Sequence, residues 1–234
     1  MCYHVEKRVV TCFYEGKWTQ EERFVLRTCS CTLLINGLEY SHLRTIPKDL
    51  ELLGQGYAIV LGYNPDSVHV FQSEKCEYII NVLSFNKYEY PPRVFLEERT
   101  VNISLIDKLV RELDYRKTWD KLSVAIVYNL DRSCTIGVID DYNLDALFYK
   151  IVGLIYRSRS MLEHVLVVTD APVDASLLGY LTVSRVVGVV TTSYVTCDAA
   201  EYAQKVGITL LGEYAPDMDK GRFVLYSLGL LKLA

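Results

Sequence analysis

VLVVTD (Val165–Asp170), VVGVVTT (Val186–Thr192) and GITLLG (Gly207–Gly212) decide the fold class. Each run is strand-sized and apolar, and helix-like stretches separate them. Strands buried on both faces read as near-continuous apolar runs, as a parallel or mixed sheet covered by helices requires. The chain is therefore expected to be α/β. Upstream, SVAIVYN (Ser123–Asn129) and CTIGVID (Cys134–Asp140) read as a hairpin joined through Leu130-Asp131-Arg132. Leu144, Leu147, Phe148, Ile151 and Ile155 then recur at helical spacing and predict a buried stripe. Another helix is expected over Asn102–Lys117, with Leu105, Leu109 and Leu113 inward.

Further helices are expected near Pro172–Ser184 and Asp198–Val206. The latter opens with Asp198 and Glu201 at capping-box spacing, and Gly221–Ser227 reads as a closing strand. In the amino-terminal third, Phe24–Asn36 reads as one long strand that Gly37 turns into a second, LEY. A helix should open around Thr45, Ile46 and Pro47, with Leu50, Leu53, Tyr57 and Leu61 on its apolar face. Strands are predicted at Ser67–Phe71, Glu77–Ser84 and Arg93–Glu97. The Pro-rich stretch Asn86–Pro92 is the best linker, dividing an amino-terminal α+β lobe (1–90) from an α/β domain (91–234).

Composition excludes several function classes. Among 234 residues the net charge is −4 with both signs mixed, and no basic block offers a nucleic-acid backbone its counterions. The longest apolar runs are strand-sized, so no membrane partner is expected. The start MCYHVEKRVV lacks the apolar core of a signal peptide, which points to the cytoplasm. Seven cysteines without framework spacing do not make a secreted disulfide scaffold. Cys29-Ser30-Cys31 would share one strand face, but two sulfurs make a poor metal site. Eighteen tyrosines suit half-buried surfaces and interfaces.

Asp140-Asp141 is the most site-like pair, at a strand end that runs into a helix N-terminus, where α/β folds place ligands. Either one acid caps the helix and the other is solvated, or the pair holds a sugar, a base or a cation. Asp170, Asp174, Asp198 and Asp217 fall in loops without acid–base spacing, and Thr191, Thr192, Ser193 and Thr196 fit turn and cap chemistry. His4, His42, His69 and His164 sit in no metal or nucleophile motif, and the glycines form no phosphate loop. Cys134, in a strand, reads as structural.

The order of segments resembles the FdhD/NarQ family of formate dehydrogenase accessory sulfurtransferases. Leu33-Leu34-Ile35-Asn36-Gly37 and Thr45-Ile46-Pro47-Lys48-Asp49-Leu50 are similar to the family's strand, NG turn and TP-D-x-L helix. Asp140–Gly153 (DDYNLDALFYKIVG) is similar to its hallmark EDVGRHNAxDKxxG, with Asp141, Lys150 and Gly153 matching. The stretch from Val195-Thr196 to GITLLG is similar to PTxxAxxxAxxxGITLxG, and Thr169-Asp170-Ala171 lies under the family's SGR.

The resemblance implies a cytidine-deaminase-like three-layer core with a mixed sheet, a smaller amino-terminal lobe, and a homodimer. It implies a molybdopterin or guanine-nucleotide cofactor, and as partners a cysteine desulfurase and a formate dehydrogenase-like molybdoenzyme. Asp141, Lys150, Thr169 and Thr196 would line the pocket, Lys150 meeting phosphate and Asp141 a ribose or pterin donor. The family's Cys-x-x-Cys loop falls around Glu97-Glu98-Arg99-Thr100, where this chain has no cysteine, and its TGG-x-H segment falls near Asp120–Val124, without glycine or histidine. A persulfide relay needs an exposed nucleophilic sulfur on a mobile loop. The expectation is a member of this fold that binds cofactor or partner, with no catalytic thiol and no metal site. The alternatives are a sulfur carrier using a relocated Cys76 or Cys134, and a purely structural interaction module.

Overall fold

Asn36 and Gly37 both adopt positive φ, 52° and 78°, as a two-residue type I′ hairpin turn demands. The turn joins two strands of the first sheet in a computed structural model that describes residues 5–14, 16–89, 98–117, 122–160, 163–215 and 222–234. In chain order, β1 (Val5–Tyr14) and β2 (Lys17–Leu26) form a separate two-stranded ribbon, and β3 (Cys29–Ile35) and β4 (Leu38–Thr45) follow. Then come α1 (Leu50–Val60), β5 (Tyr63–Asn64), β6 (Ser67–Glu74), β7 (Glu77–Leu83), β8 (Asn86–Lys87) and β9 (Arg99–Val101). The first sheet has the order β4-β3-β7-β6, with β3 and β7 parallel. Its buried residues Cys31, Leu33, Ile80 and Val82 pack with Leu53, Tyr57 and Ala58 of α1.

The second half runs α2 (Ile103–Arg116), β10 (Ser123–Asn129), β11 (Cys134–Asp141), α3 (Leu144–Arg157), β12 (Val165–Thr169), α4 (Ala175–Leu181) and β13 (Val186–Thr191). It ends with α5 (Cys197–Val206), β14 (Thr209–Ala215), β15 (Arg222–Ser227) and β16 (Leu231–Leu233). Its sheet is mixed, ordered β11-β10-β12-β13-β14-β15. The central trio β12, β13 and β14 is parallel and the flanking strands are antiparallel. Every residue of β12 and β13 is buried, as the apolar runs require. Val165, Val167, Val189 and Leu210 face a core shared with α3, α4 and α5, whereas Leu166, Val168, Val190 and Leu211 face α2. This is a helix–sheet–helix layering, the α/β core with a mixed sheet that the sequence predicts.

Several boundaries differ from expectation. The single strand expected over Phe24–Asn36 breaks at Arg27-Thr28, so its first part belongs to the β1–β2 ribbon and only Cys29–Ile35 enters the sheet. Helix α1 starts at Leu50 rather than near Pro47. Its N-cap, Asp49, takes a left-handed φ of 55° with no side-chain cap, and Leu61 is exposed at its end. For α5 the N-cap is Thr196; Asp198 lies in the first turn and accepts from the Ala199 N–H, so the capping box does not form. Asn102 does cap α2, accepting from Ser104 N–H at 2.9 Å. Strands β1, β9 and β16 carry no alternation strong enough to read from the sequence. The expected strand at 93–97, Pro91-Pro92, Asp217 and part of the 120–124 segment lie outside the described residues.

The two sheets meet through helices. α1 and α3 cross so closely that a Cβ on Gly56 would lie 2.6 Å from the Tyr149 carbonyl carbon, and one on Gly153 would lie 2.8 Å from that of Leu52. Only hydrogen at both positions lets the two backbones touch.

A buried acid–lysine tie between the two sheets

Asp141 ends β11, and Lys150 lies two turns into α3. Side chains on a helix lean toward its N-terminus, so Lys150 reaches back to the strand end that precedes its own helix. Its ammonium donates to Asp141 Oδ2 at 2.7 Å, and both side chains are fully buried, with 0% exposure. Thr45, the last residue of β4, donates its hydroxyl to the same Oδ2, while Oδ1 accepts from the Asn143 N–H at 3.1 Å. Asn143 then caps α3 by accepting from the Ala146 N–H at 3.2 Å. Asp140, the neighbouring acid, pairs with Lys48. Both acids therefore reach across to one short segment, Thr45–Lys48, that leads out of the first sheet.

Under this tie lie Cys29 and Cys31, on one inward face of β3 as their alternate spacing predicts, with sulfurs 3.7 Å apart. Cys29 Sγ donates to the Thr45 carbonyl at 3.3 Å. The contact with Cys29, with burial added, pushes the Cys31 thiol far above its ordinary range. A thiol so placed is inert at neutral pH. Cys134, expected to be structural inside its strand, is instead exposed at the start of β11, as is Cys197 at the start of α5; Cys76 is half-buried at a turn with φ of 66°. An alkylating reagent on the native protein should therefore label Cys134 and Cys197 rapidly, and Cys29 and Cys31 only after denaturation. Peptide mass mapping over time checks this, and early labelling of Cys29 would contradict it.

Of the four residues expected to line a pocket, the structure joins Asp141 and Lys150 and leaves the two threonines elsewhere. Thr169 is fully buried; its hydroxyl donates to the Val124 carbonyl at 2.7 Å and accepts from the Ala171 N–H at 3.1 Å. Thr191 does the same one strand over, with the Ala171 carbonyl at 2.6 Å and the Ser193 N–H at 3.0 Å. Both hydroxyls close the turns leaving the parallel strands. Thr196 borders a separate cleft of about 90 Å³ with Leu144, Pro172, Val173, Asp174, Leu177 and Tyr194. That volume is well below the roughly 300 Å³ at which small-molecule pockets begin. Local reading of the chain misses Thr45 and Lys48, because their partners lie 96 and 92 residues away.

No family model matches this chain, and no curated protein matches it. Among solved structures it is similar to the crystal structure of "a putative formate dehydrogenase accessory protein from Desulfotalea psychrophila", with a TM-score of 0.76 and 15% identity. The match covers 95% of this chain and 96% of that one. The likeness is one of fold. Within this fold, the stretch Asp140–Gly153 supplies the tie at one end and the glycine contact with α1 at the other. Among the described residues no group of three or more His, Cys, Asp or Glu side chains is placed to hold a metal, and no helix is long and apolar enough to cross a membrane.

Proposed function

We propose that this chain is a diverged formate dehydrogenase accessory protein that serves molybdenum-cofactor delivery in the cytoplasm as a homodimer, by binding a partner rather than by relaying sulfur. It is read as two lobes, 1–90 and 91–234, held together by the Asp141–Lys150 tie. The partners are a formate dehydrogenase-like molybdoenzyme and, upstream of it, a cysteine desulfurase. The observation that carries the reading is the inward turn of the hallmark-like polar residues. Asp141 has both oxygens engaged and Lys150 is sealed from solvent, so neither fits a molybdopterin or guanine nucleotide as a ligand group in this arrangement. The sequence supports it independently, since no cysteine lies between Cys76 and Cys134, where the family's relay loop falls.

Incubation with a cysteine desulfurase and cysteine, followed by intact-mass measurement, should show no sulfur adduct. Native mass spectrometry of the protein isolated from its own cell should show a retained molybdoenzyme. A single persulfide on Cys76 or Cys134 would overturn this reading in favour of a relocated sulfur carrier. Saturable guanine-nucleotide binding abolished by Lys150→Met, in protein shown to be folded, would instead restore Asp141, Lys150, Thr169 and Thr196 as a cofactor site.

A further inference from the structure

The segments that leave β12 and β13 enclose the small cleft of about 90 Å³ that Thr196 borders. Its floor is fixed, because the chain continues past both strands as a parallel bridge between Val173 and Val195. There the Thr196 N–H donates to the Val173 carbonyl at 3.1 Å, and the Val173 N–H to that of Tyr194 at 3.2 Å. Leu144, Val173 and Leu177 supply apolar walls, and Tyr194, 61% exposed, stands at the mouth. Crevices beyond the carboxyl ends of parallel strands are where α/β sheets take ligands. Carboxylates surround this one. Asp174 lines it and caps α4 through Oδ1, which accepts from the Leu177 N–H at 2.9 Å; its Oδ2 has no hydrogen-bond partner among the described residues. Asp198 lies beside it, where the Thr196 hydroxyl and the Ala199 and Ala175 N–H groups hold its carboxyl below the usual range. Asp145, directly after Leu144, accepts from the Tyr180 hydroxyl at 3.3 Å. Among the described residues no lysine, arginine or histidine pairs with any of these three acids, although on the same sheet edge Lys48 pairs with Asp140 and Lys117 with Asp170.

We infer that this cleft receives one arginine side chain of the partner protein, its guanidinium over Tyr194 and against Asp174 and Asp198. The inference deepens the partner-binding reading above and rests on it. Charge complementarity selects the occupant. Three carboxylates without counter-charges repel a phosphate or another acid and attract a cation. Size selects a side chain: the cleft is too small for a drug-sized ligand, and its apolar walls suit the methylene stem of a long cationic residue whose head stays at the wet rim. The aromatic ring at the mouth favours arginine over lysine, because a planar guanidinium stacks on a ring while its fork reaches carboxylates.

Nuclear magnetic resonance of the full chain, titrated with N-acetyl-arginine amide into the tens of millimolar, tests this. Saturable shifts should centre on the amides of Val173–Leu177 and Tyr194–Thr196, and the uncharged isostere N-acetyl-citrulline amide should produce none. Asp174→Asn should weaken arginine binding by about ten-fold, with an unchanged unfolding curve because asparagine caps a helix as well as aspartate. The molybdoenzyme retained by protein from its own cell should be lost from the Asp174→Asn/Asp198→Asn variant. Absence of localised arginine shifts, citrulline binding as tight as arginine, or a double variant that retains the enzyme as wild type does would overturn the arginine cleft and leave partner binding standing. A wild type that retains no enzyme would overturn the partner-binding reading and this inference with it.

Discussion

Gly153→Ala will destabilise the protein by about 3 kcal/mol, and Gly56→Ala by a similar amount, whereas Gly179→Ala will stabilise it by about 0.5–1 kcal/mol. The same added methyl has opposite signs because of what it meets. Alanine restricts the unfolded chain and favours a helix, and at Gly179 in α4 the nearest atom to a new Cβ is the Tyr202 hydroxyl at 4.0 Å. At Gly153 the methyl drives into the backbone of Leu52, and at Gly56 into that of Tyr149, and backbone cannot rotate aside. The helices must separate, which opens the α1–α3 contact and with it the packing of Leu52 and Ile59 against Phe148 and Val152. Urea unfolding of the three variants checks this. A Gly153→Ala protein as stable as wild type would mean that the helices do not cross at this distance.

Lys150→Met and Asp141→Asn carry the second large expectation, a loss of about 3–5 kcal/mol each. Neither charge has solvent to fall back on, since both side chains are fully buried. With Lys150 removed, the carboxylate keeps only Thr45 and the Asn143 N–H. With Asp141 neutralised, the ammonium faces an amide and no counter-charge. The exposed pair Arg157–Glu51 makes a control on the same pair of helices. Removing either partner there should cost under about 1 kcal/mol, because solvent screens it. A site kept for ligand would behave otherwise: active-site groups are held at a cost, so losing one would leave stability unchanged or raised.

The fold is legible in the sequence where burial on both faces leaves no polar residues to confuse the pattern. β12 and β13 are plain from composition alone, and α3 from a stripe at helical spacing. The ribbon is not legible, because an arm uncovered on both faces mixes aromatic and charged residues without a solvent side to sort them. Sequence places the start of α1 too early because Pro47 and Asp49 both suit a first turn, while the left-handed backbone at Asp49 holds the helix off until Leu50. Of the candidate site, Asp141 and Lys150 stand out through a family pattern. Their being sealed together is not readable, since the third member, Thr45, arrives from the other sheet. Alternation correctly sets Cys29 and Cys31 on one face, but which neighbours cover them depends on the same long-range contact.

The most direct test is the stability to urea of the Asp141→Asn/Lys150→Met double variant set beside its two parents. With both charges gone, the amide oxygen introduced by Asp141→Asn still accepts a hydrogen bond in place of the carboxylate, and a methionine fills the lysine's space. The double variant should therefore recover most of the loss, to within about 1–2 kcal/mol of wild type, with a coupling between the two positions of at least about 2 kcal/mol. Single variants as stable as wild type, or losses that simply add in the double, would show that Asp141 and Lys150 do not hold the two sheets together.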